Sequence, residues 1–527
     1  MRPWLLPPLL TLLLPGCAQR RTSPGDLEGG EGESQGETEN DSEGTGTQPT
    51  DPRPPPQSQP NRDVDILFVI DNSGSMGEEQ ANLAANFGSF ISVLEEPGVD
   101  ANYRIAVTTT DNGNPWCGTT DPEAGSLVYS SCLNRIGDFT SLSGAIDAGD
   151  IACQDICSLD NNALGISGDS SPWLENIEGT TNLPAGVTTT EAMQCIGPQG
   201  INGCGFESQL ESMNKAFIRT QTQADPAFGF MRDAALLAVI IVTDEADCSY
   251  NNEWASIFEV NGNQVFWHPD SGQTPTSAIC WNAGTSCTDA GGGSYDCVAT
   301  NHDVDGNPIP SGDPNAMDHS VLLPLSRYID RLQGIENDKK ELDPYREVIV
   351  GIIAGVDSAG NPHYADSADA DYIRDFGIGP GCSSVVPGTT TCVADSDCQG
   401  IGTQTCGPSG HCLEEQFAVP PVRLAEFSDH FTESNKFSIC DADYSGALEA
   451  IAEAISDQLA PACYYGCAAD ADPTTPYLEP ECVVYEYVGT QQSAVAECLR
   501  DGDGYVLNPD TLDYTMPDDA TNFCFAY

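Results

Sequence analysis

Positive charge is what this chain has least of: Lys and Arg total 19 against 80 Asp and Glu, a formal net charge of -61 over 527 residues. Binding to nucleic acid or to anionic lipid depends on Lys and Arg meeting phosphate, so both are expected not to be partners. Cations are the favoured small partners, and the acidity also keeps an exported protein soluble. Histidine is scarce as well, and none of the six belongs to an H-E-x-x-H zinc motif. The only G-x-S-x-G, Gly32 to Gly36, has no strand before it, so it is no nucleophile elbow. Between Cys382 and Cys412 five cysteines occur with no C-x-x-C pair, which favours a disulfide-stapled loop over zinc.

What is present centres on the run from Val64 to Met76. Val64–Ile70 is nearly all apolar, short and β-branched, and it stops abruptly at Asp71-Asn72-Ser73-Gly74, which reads as a strand buried on both faces. Asp71, Ser73 and Ser75 follow in a D-x-S-x-S pattern that sets one carboxylate and two hydroxyls at the strand's carboxyl end. Some 170 residues on, Ala235–Val242 is a second buried run, closed by Thr243-Asp244-Glu245. Open α/β sheets bind ligands outside the carboxyl ends of their strands, so Asp71 and Asp244 are expected to share one crevice. Such hard oxygen donors suit Mg²⁺, with Mn²⁺ or Ca²⁺ as alternatives.

These two loops, D-x-S-x-S after the first strand and T-D after the later one, resemble the metal-ion-dependent adhesion site of von Willebrand factor A domains. The resemblance implies an α/β fold with a doubly wound, mostly parallel sheet flanked by helices. It also implies a site of Asp71, Ser73, Ser75 and Asp244 holding a divalent cation, most readily Mg²⁺, whose coordination is completed by a carboxylate of a protein partner. The family adds a Thr from the loop before a later helix. Here that place reads Gly203-Cys204-Gly205-Phe206-Glu207, with Thr188, Thr189 and Thr190 well upstream. Glu207 is the candidate substitute; the alternative makes it a first-turn Glu complementing the helix dipole. Ser75 has an alternative too, since Ser75-Met76-Gly77-Glu78 is an S-x-x-E capping box.

The N-terminus carries one Arg, a Leu-rich core broken by prolines, and Leu14-Pro15-Gly16-Cys17. It is too short to span a bilayer as a helix and resembles a lipoprotein signal over residues 1–16, with Cys17 lipidated as a membrane anchor to the cell envelope. Residues 17–62 run through Gly, Glu, Ser, Thr and Pro and read as a disordered tether, with a reach of roughly 35–40 Å. The main domain is expected over 63–460, with cysteine-rich insertions at about 111–204, 245–317 and 356–418, and a β-rich, cysteine-rich extension over 461–527. The 22 cysteines suit an oxidising compartment and are expected to pair mostly within their own insertions.

Further elements are expected as a helix after Ser75 with Leu83, Phe87, Phe90, Ile91 and Leu94 on one face, a strand over Tyr103–Thr110, and a helix from Phe206 with Leu210, Met213 and Phe217. Helical spacing resumes at Val321, Arg346–Gly355 is another buried strand, Val422–Phe427 an edge strand, and Leu448, Ile451, Ile455 and Leu459 a final helix. Asp303-Val304-Asp305-Gly306 lacks the remainder of a calcium loop and reads as a turn. With no base placed beside the acidic pair, the expected function is a non-enzymatic, envelope-anchored protein whose cation mediates adhesion. The alternatives are a structural metal that only holds the loops, or a metal-assisted hydrolase.

Overall fold

The protein is described here by a computed structural model covering residues 61–97, 99–343, 346–399, 402–408, 410–432 and 434–459, then 485–488, 491–494 and single positions from 498 to 517. The expected signal, Cys17 and the tether lie outside the described residues. Asn61–Ala460 is one compact unit. Of the second unit, the described part includes an antiparallel hairpin in which Tyr485–Val488 pairs with Gln491–Ala494.

The unit is built on a seven-stranded sheet. In chain order its strands are β1 (Asp63–Ile70), β2 (Asn102–Thr109), β3 (Leu174–Ile177), β4 (Thr180–Thr181), β5 (Leu236–Val242), β6 (Val348–Ala354) and β7 (Lys436–Ser438), and their spatial order is β7-β6-β5-β1-β2-β3-β4. From β7 to β2 every pairing is parallel, and β3 and β4 add an antiparallel edge. The chain leaves β1 toward β2 on one side and later returns as β5 on the other. The carboxyl ends of β1 and β5 therefore form the point where the winding reverses, the usual place for a ligand crevice in a doubly wound sheet.

Alternation along β1 explains the layers. Val64, Ile66, Phe68 and Ile70 face one core, where helices α1 (Gly77–Leu94) and α5 (Ser445–Leu459) contribute Leu83, Phe87, Phe90, Leu448, Ile451 and Ile455. Phe68 meets Phe87 and Phe90 edge-on, each at 5.5 Å between ring centroids. Leu67 and Val69 face the opposite core with α2 (Gln209–Thr220), α3 (Leu325–Leu342) and α4 (Val422–Phe431), which supply Leu210, Met213, Phe217, Tyr328, Leu332, Leu424 and Phe427. Strands covered on both faces need to be apolar, as β5 and β6 are throughout and β1 is from Ile66 to Ile70. Of the two acids in β1, Asp63 opens the strand and Asp65 is buried within it, and Arg232 pairs with both, its Nε lying 2.8 Å from Asp65 Oδ1.

Three expectations about elements are corrected. Val422–Phe431 is a helix, not an edge strand: it starts after Pro420-Pro421, a favourable helix entry, and Leu424, Phe427 and Phe431 share a face while Arg423 pairs with buried Asp247 at 2.9 Å. The edge strand is β7 instead. α2 begins at Gln209, and Phe206 packs away from it on Phe258. Val321 and Leu322 are buried before α3 begins at Leu325, with Leu322 bridging Tyr250.

Eight disulfides are drawn among the described residues. Seven close within an insertion; Cys382–Cys440 instead ties the third insertion to the loop before α5. Cys392–Cys406 and Cys398–Cys412 occupy the thiols that a zinc reading would need. At Asp303 the carboxylate accepts from the N–H groups of Asp305 and Asn307 at 3.0 and 2.8 Å, closing a turn bridged by His302 and Pro308. Asp357 repeats the device with Ala359 and Asn361. No helix of the described residues is long and apolar enough to cross a membrane.

Candidate functional site

The carboxyl ends of β1, β2 and β5 bring Asp71, Thr110 and Thr243 to one edge of the sheet, because the ladder continues one residue past each strand. Asp71 N–H donates to Val242 O at 2.9 Å and Thr110 N–H to Ile70 O at 3.2 Å. Asp71 is fully buried, and both its oxygens are oriented: Oδ1 accepts from Ser73 N–H at 2.8 Å and Oδ2 from the Thr243 hydroxyl at 2.5 Å. Ser73 Oγ and Ser75 Oγ are 3.1 Å apart, and the Ser75 side chain also bonds to Asp244. The structure thus brings Asp71, Ser73, Ser75 and Asp244 together around one crevice.

The capping alternative for Ser75 does not hold. α1 starts at Gly77, Met76 occupies the cap position, and no side chain caps the helix. Ser75 is instead exposed at the crevice mouth.

Glu207 is not in the first turn of α2 but two residues ahead of it, 1 % exposed. The Thr110 hydroxyl donates to Glu207 Oε2. Its loop is pinned by the Cys117–Cys204 disulfide, by Gly203 N–H to Asn72 O at 2.8 Å, and by Cys248 N–H to Glu207 O at 2.6 Å. Gly203 is obligatory here: a Cβ would sit 2.4 Å from Asn72 Oδ1. Thr188, Thr189 and Thr190 are elsewhere: Thr188 caps the helix Thr189–Ile196 and Thr189 accepts from Tyr103.

Two groups that sequence reasoning missed complete the site. Thr110, one residue beyond β2, was recoverable from the same strand-end rule that singled out Asp71. Glu79, on the first turn of α1, turns inward rather than to solvent and is 5 % exposed with one oxygen lacking a hydrogen-bond partner. Gln80 ties the loops by donating to Asp71 O and Gly200 O at 2.8 and 2.7 Å.

The site is electrostatically frustrated without a cation. Burial pushes Asp71 up to about 6, opposed by hydrogen bonds from Thr243 and Ser73 and reinforced by nearby Asp111. Burial and the charge of Asp71 push Asp244 up to about 7. Glu207, Glu79 and Glu245 are raised well above the usual carboxylate range, each by burial first and then by acidic neighbours. Asp244 Oδ1 and Glu207 Oε1 are buried and, among the described residues, have no hydrogen-bond partner. Unpaired carboxylate oxygens are costly to bury, and together with the serine hydroxyls they make a hard, all-oxygen donor set that fits Mg²⁺ or Mn²⁺. It is not a cage of carboxylates: among the described residues only Cys392, Cys398 and Cys406 place three acidic, thiol or imidazole ligand atoms within 4.8 Å of one another, and those are disulfide sulfurs.

No protein-family model matches the chain, and no curated protein matches it. Among solved structures, the pilus adhesin SpaC from Lactobacillus rhamnosus GG, in an open conformation, aligns with 76 % of this chain and 30 % of its own at 11 % identity and a TM-score of 0.28. The chain spans less than a third of that adhesin, and overlap so loose carries no argument about fold or role.

Proposed function

We propose that the chain is an exported adhesion protein of the von Willebrand factor A type, anchored to the cell envelope through a lipidated Cys17 and binding a protein partner through a divalent cation, Mg²⁺ in the first instance. Asp71, Ser73, Ser75 and Asp244 would hold the cation, with Glu207 in the place of the family's Thr. A bound cation would supply an electrophilic centre whose coordination a partner's carboxylate completes. The observation that carries this reading is the pair of buried, unpartnered oxygens, Asp244 Oδ1 and Glu207 Oε1, at the switch point of the sheet beside Asp71. The chain's own residues do the positioning: Thr243 and Ser73 orient Asp71, Thr110 orients Glu207, and the disulfide at Cys204 holds the Glu207 loop.

Calorimetric titration with Mg²⁺ and Mn²⁺ tests it. Asp71→Ala should abolish a saturable site while Asp303→Ala, whose carboxylate only closes an exposed turn, leaves it intact. Equal responses of the two variants would sink the reading, because they would mean that cations merely condense on an acidic surface.

A further inference from the structure

The insertion after β6 carries a short helix, Ala370–Phe376, whose one buried residue is Tyr372. The helix is fixed at both ends. Asp369 Oδ1 accepts from the N–H groups of Asp371 and Tyr372 at 2.9 and 3.3 Å. At the other end Gly377, with φ at 82°, lies against Trp281, where a Cβ would fall 2.8 Å from the indole. The Tyr372 ring packs on Phe376 and on Phe417, at 4.5 and 5.6 Å between centroids. Its direction is therefore set by the fold.

This helix lies beside the cation crevice. Phe376 packs on a cluster that includes Ala246 and Val419, and Val419 N–H donates to Asp244 O at 2.7 Å. Phe376 also shares the lining of one open cleft with Phe206 and Glu245, the neighbours of Glu207 and Asp244 in the chain. Tyr372 is 9 % exposed, and its hydroxyl is buried with no hydrogen-bond partner among the described residues. Burial first, then the charges of Glu245 and Asp244, push its pKa up. Leaving a buried hydroxyl unpaired is costly, so such a group calls for a partner that the folded chain does not supply. Asp244 Oδ1 is unpaired as well, yet the two are not bonded to each other. A third group between them is what both lack.

We propose that the Tyr372 hydroxyl donates to the partner's carboxylate as that carboxylate completes the cation's coordination, one oxygen on the ion and the other on the phenol. This rests on the cation-site reading above and adds to it a recognition group from the insertion after β6. A hydrogen bond from a hydroxyl to a charged oxygen is stronger than one to a neutral oxygen, so Tyr372 selects an anionic ligand over a neutral one of the same shape. Because the bond forms only in the complex, the hydroxyl serves affinity and not the fold.

The test uses the full chain loaded with Mn²⁺ and two small probes, acetate and acetamide, read by water-proton relaxation as the probe displaces water from the ion. Acetamide presents an amino group where acetate presents its second oxygen. Wild type should prefer acetate, and Tyr372→Phe should weaken acetate about tenfold while leaving Mn²⁺ affinity and the response to acetamide as they were. In chelator the same variant should melt no lower than wild type, because the hydroxyl has no partner in the folded chain to lose. Undiminished acetate binding by Tyr372→Phe, with Mn²⁺ held as in wild type, overturns the proposal and leaves the cation site standing. Loss of Mn²⁺ affinity matching the loss of acetate overturns it too, by placing the hydroxyl on the ion's own water, and a lower melting point in chelator does so by giving the hydroxyl a structural partner. A wild type with no saturable Mn²⁺ site ends both readings at once.

Discussion

The hydroxyl of Thr243 donates to Asp71 Oδ2 at 2.5 Å across the seam between β5 and β1. Residues 172 positions apart thus form one unit, with the carboxylate from one strand end oriented by the hydroxyl from the next. Thr243→Val keeps the shape and removes the donor. It should lower stability by about 1–3 kcal/mol, the cost of leaving a buried acceptor unpaired, and weaken Mg²⁺ binding because Asp71 is no longer held in place. Denaturant unfolding with and without Mg²⁺ checks both effects. Unchanged stability would mean that the hydroxyl does not serve Asp71.

Acid should stabilise the cation-free protein. Asp71 and Asp244 have folded-state pKa values raised from 3.8 to about 6 and about 7, both by burial first, with Asp111 adding to the shift of Asp71 and Asp71 to that of Asp244. A raised carboxyl binds its proton more tightly when folded, so its contribution is fully present below the unfolded pKa and is lost as pH rises through the folded one. In chelator, stability should therefore fall between about pH 4 and pH 7, by an amount on the order of a few kcal/mol. Saturating Mg²⁺ should flatten that fall, since a cation replaces the lost protons, and its affinity should weaken as pH drops below about 6. Urea melts across this range, with Asp71→Asn as the variant in which the slope shrinks, are the measurement.

How far the sequence alone reaches is visible in the same residues. β1, β5 and β6 were legible because strands covered on both faces must be apolar where they are covered, a signal that survives large insertions. Asp71 and Asp244 could be placed together from the rule that ligands gather at strand carboxyl ends. Val422–Phe431 was misread because six residues of V-R-L-A-E-F alternate as well as they turn, and only Phe431 and the preceding prolines decide for a helix. Thr110 was missed although the same strand-end rule reaches it, one residue beyond β2. Glu79 was invisible for a different reason: it looks like an ordinary solvated helix residue until the fold shows what it is turned toward. The Cys382–Cys440 pairing, 58 residues apart, depends on where the loop before α5 lies, which spacing does not encode.

The Cys117–Cys204 bridge closes 87 residues and sits three positions before Glu207. Replacing both cysteines by Ser should cost about 2–5 kcal/mol and also weaken Mg²⁺ binding, because the loop carrying Glu207 and Gly203 loses its tie to the insertion after β2. A double variant of Cys287 and Cys297, whose bridge closes only 10 residues of an outlying hairpin, should lose stability without losing cation affinity. Calorimetry on the two pairs distinguishes a local effect from general loosening. If both pairs weaken the cation equally, the bridge at Cys204 has no special relation to the site.

Ser75 gives the sharpest separation of ligand from structural residue. A hydroxyl capping α1 would be worth about 1 kcal/mol, and its loss would appear as reduced stability with or without cation. Here the helix begins at Gly77 with no side-chain cap, and Ser75 is exposed beside Ser73 Oγ at 3.1 Å and Asp244. Water can replace an exposed hydroxyl toward Asp244, so Ser75→Ala should change cation-free stability by less than about 0.5 kcal/mol. Its Mg²⁺ affinity should nevertheless fall by about tenfold or more, since one of few neutral donors is gone and a carboxylate has lost its orienting partner. Ser75→Thr, which restores the hydroxyl, should recover most of that affinity. Paired melts and Mg²⁺ titrations of the three proteins decide the matter: a stability loss in Ser75→Ala with an unchanged cation isotherm would return Ser75 to a structural role and remove one leg of the proposed site.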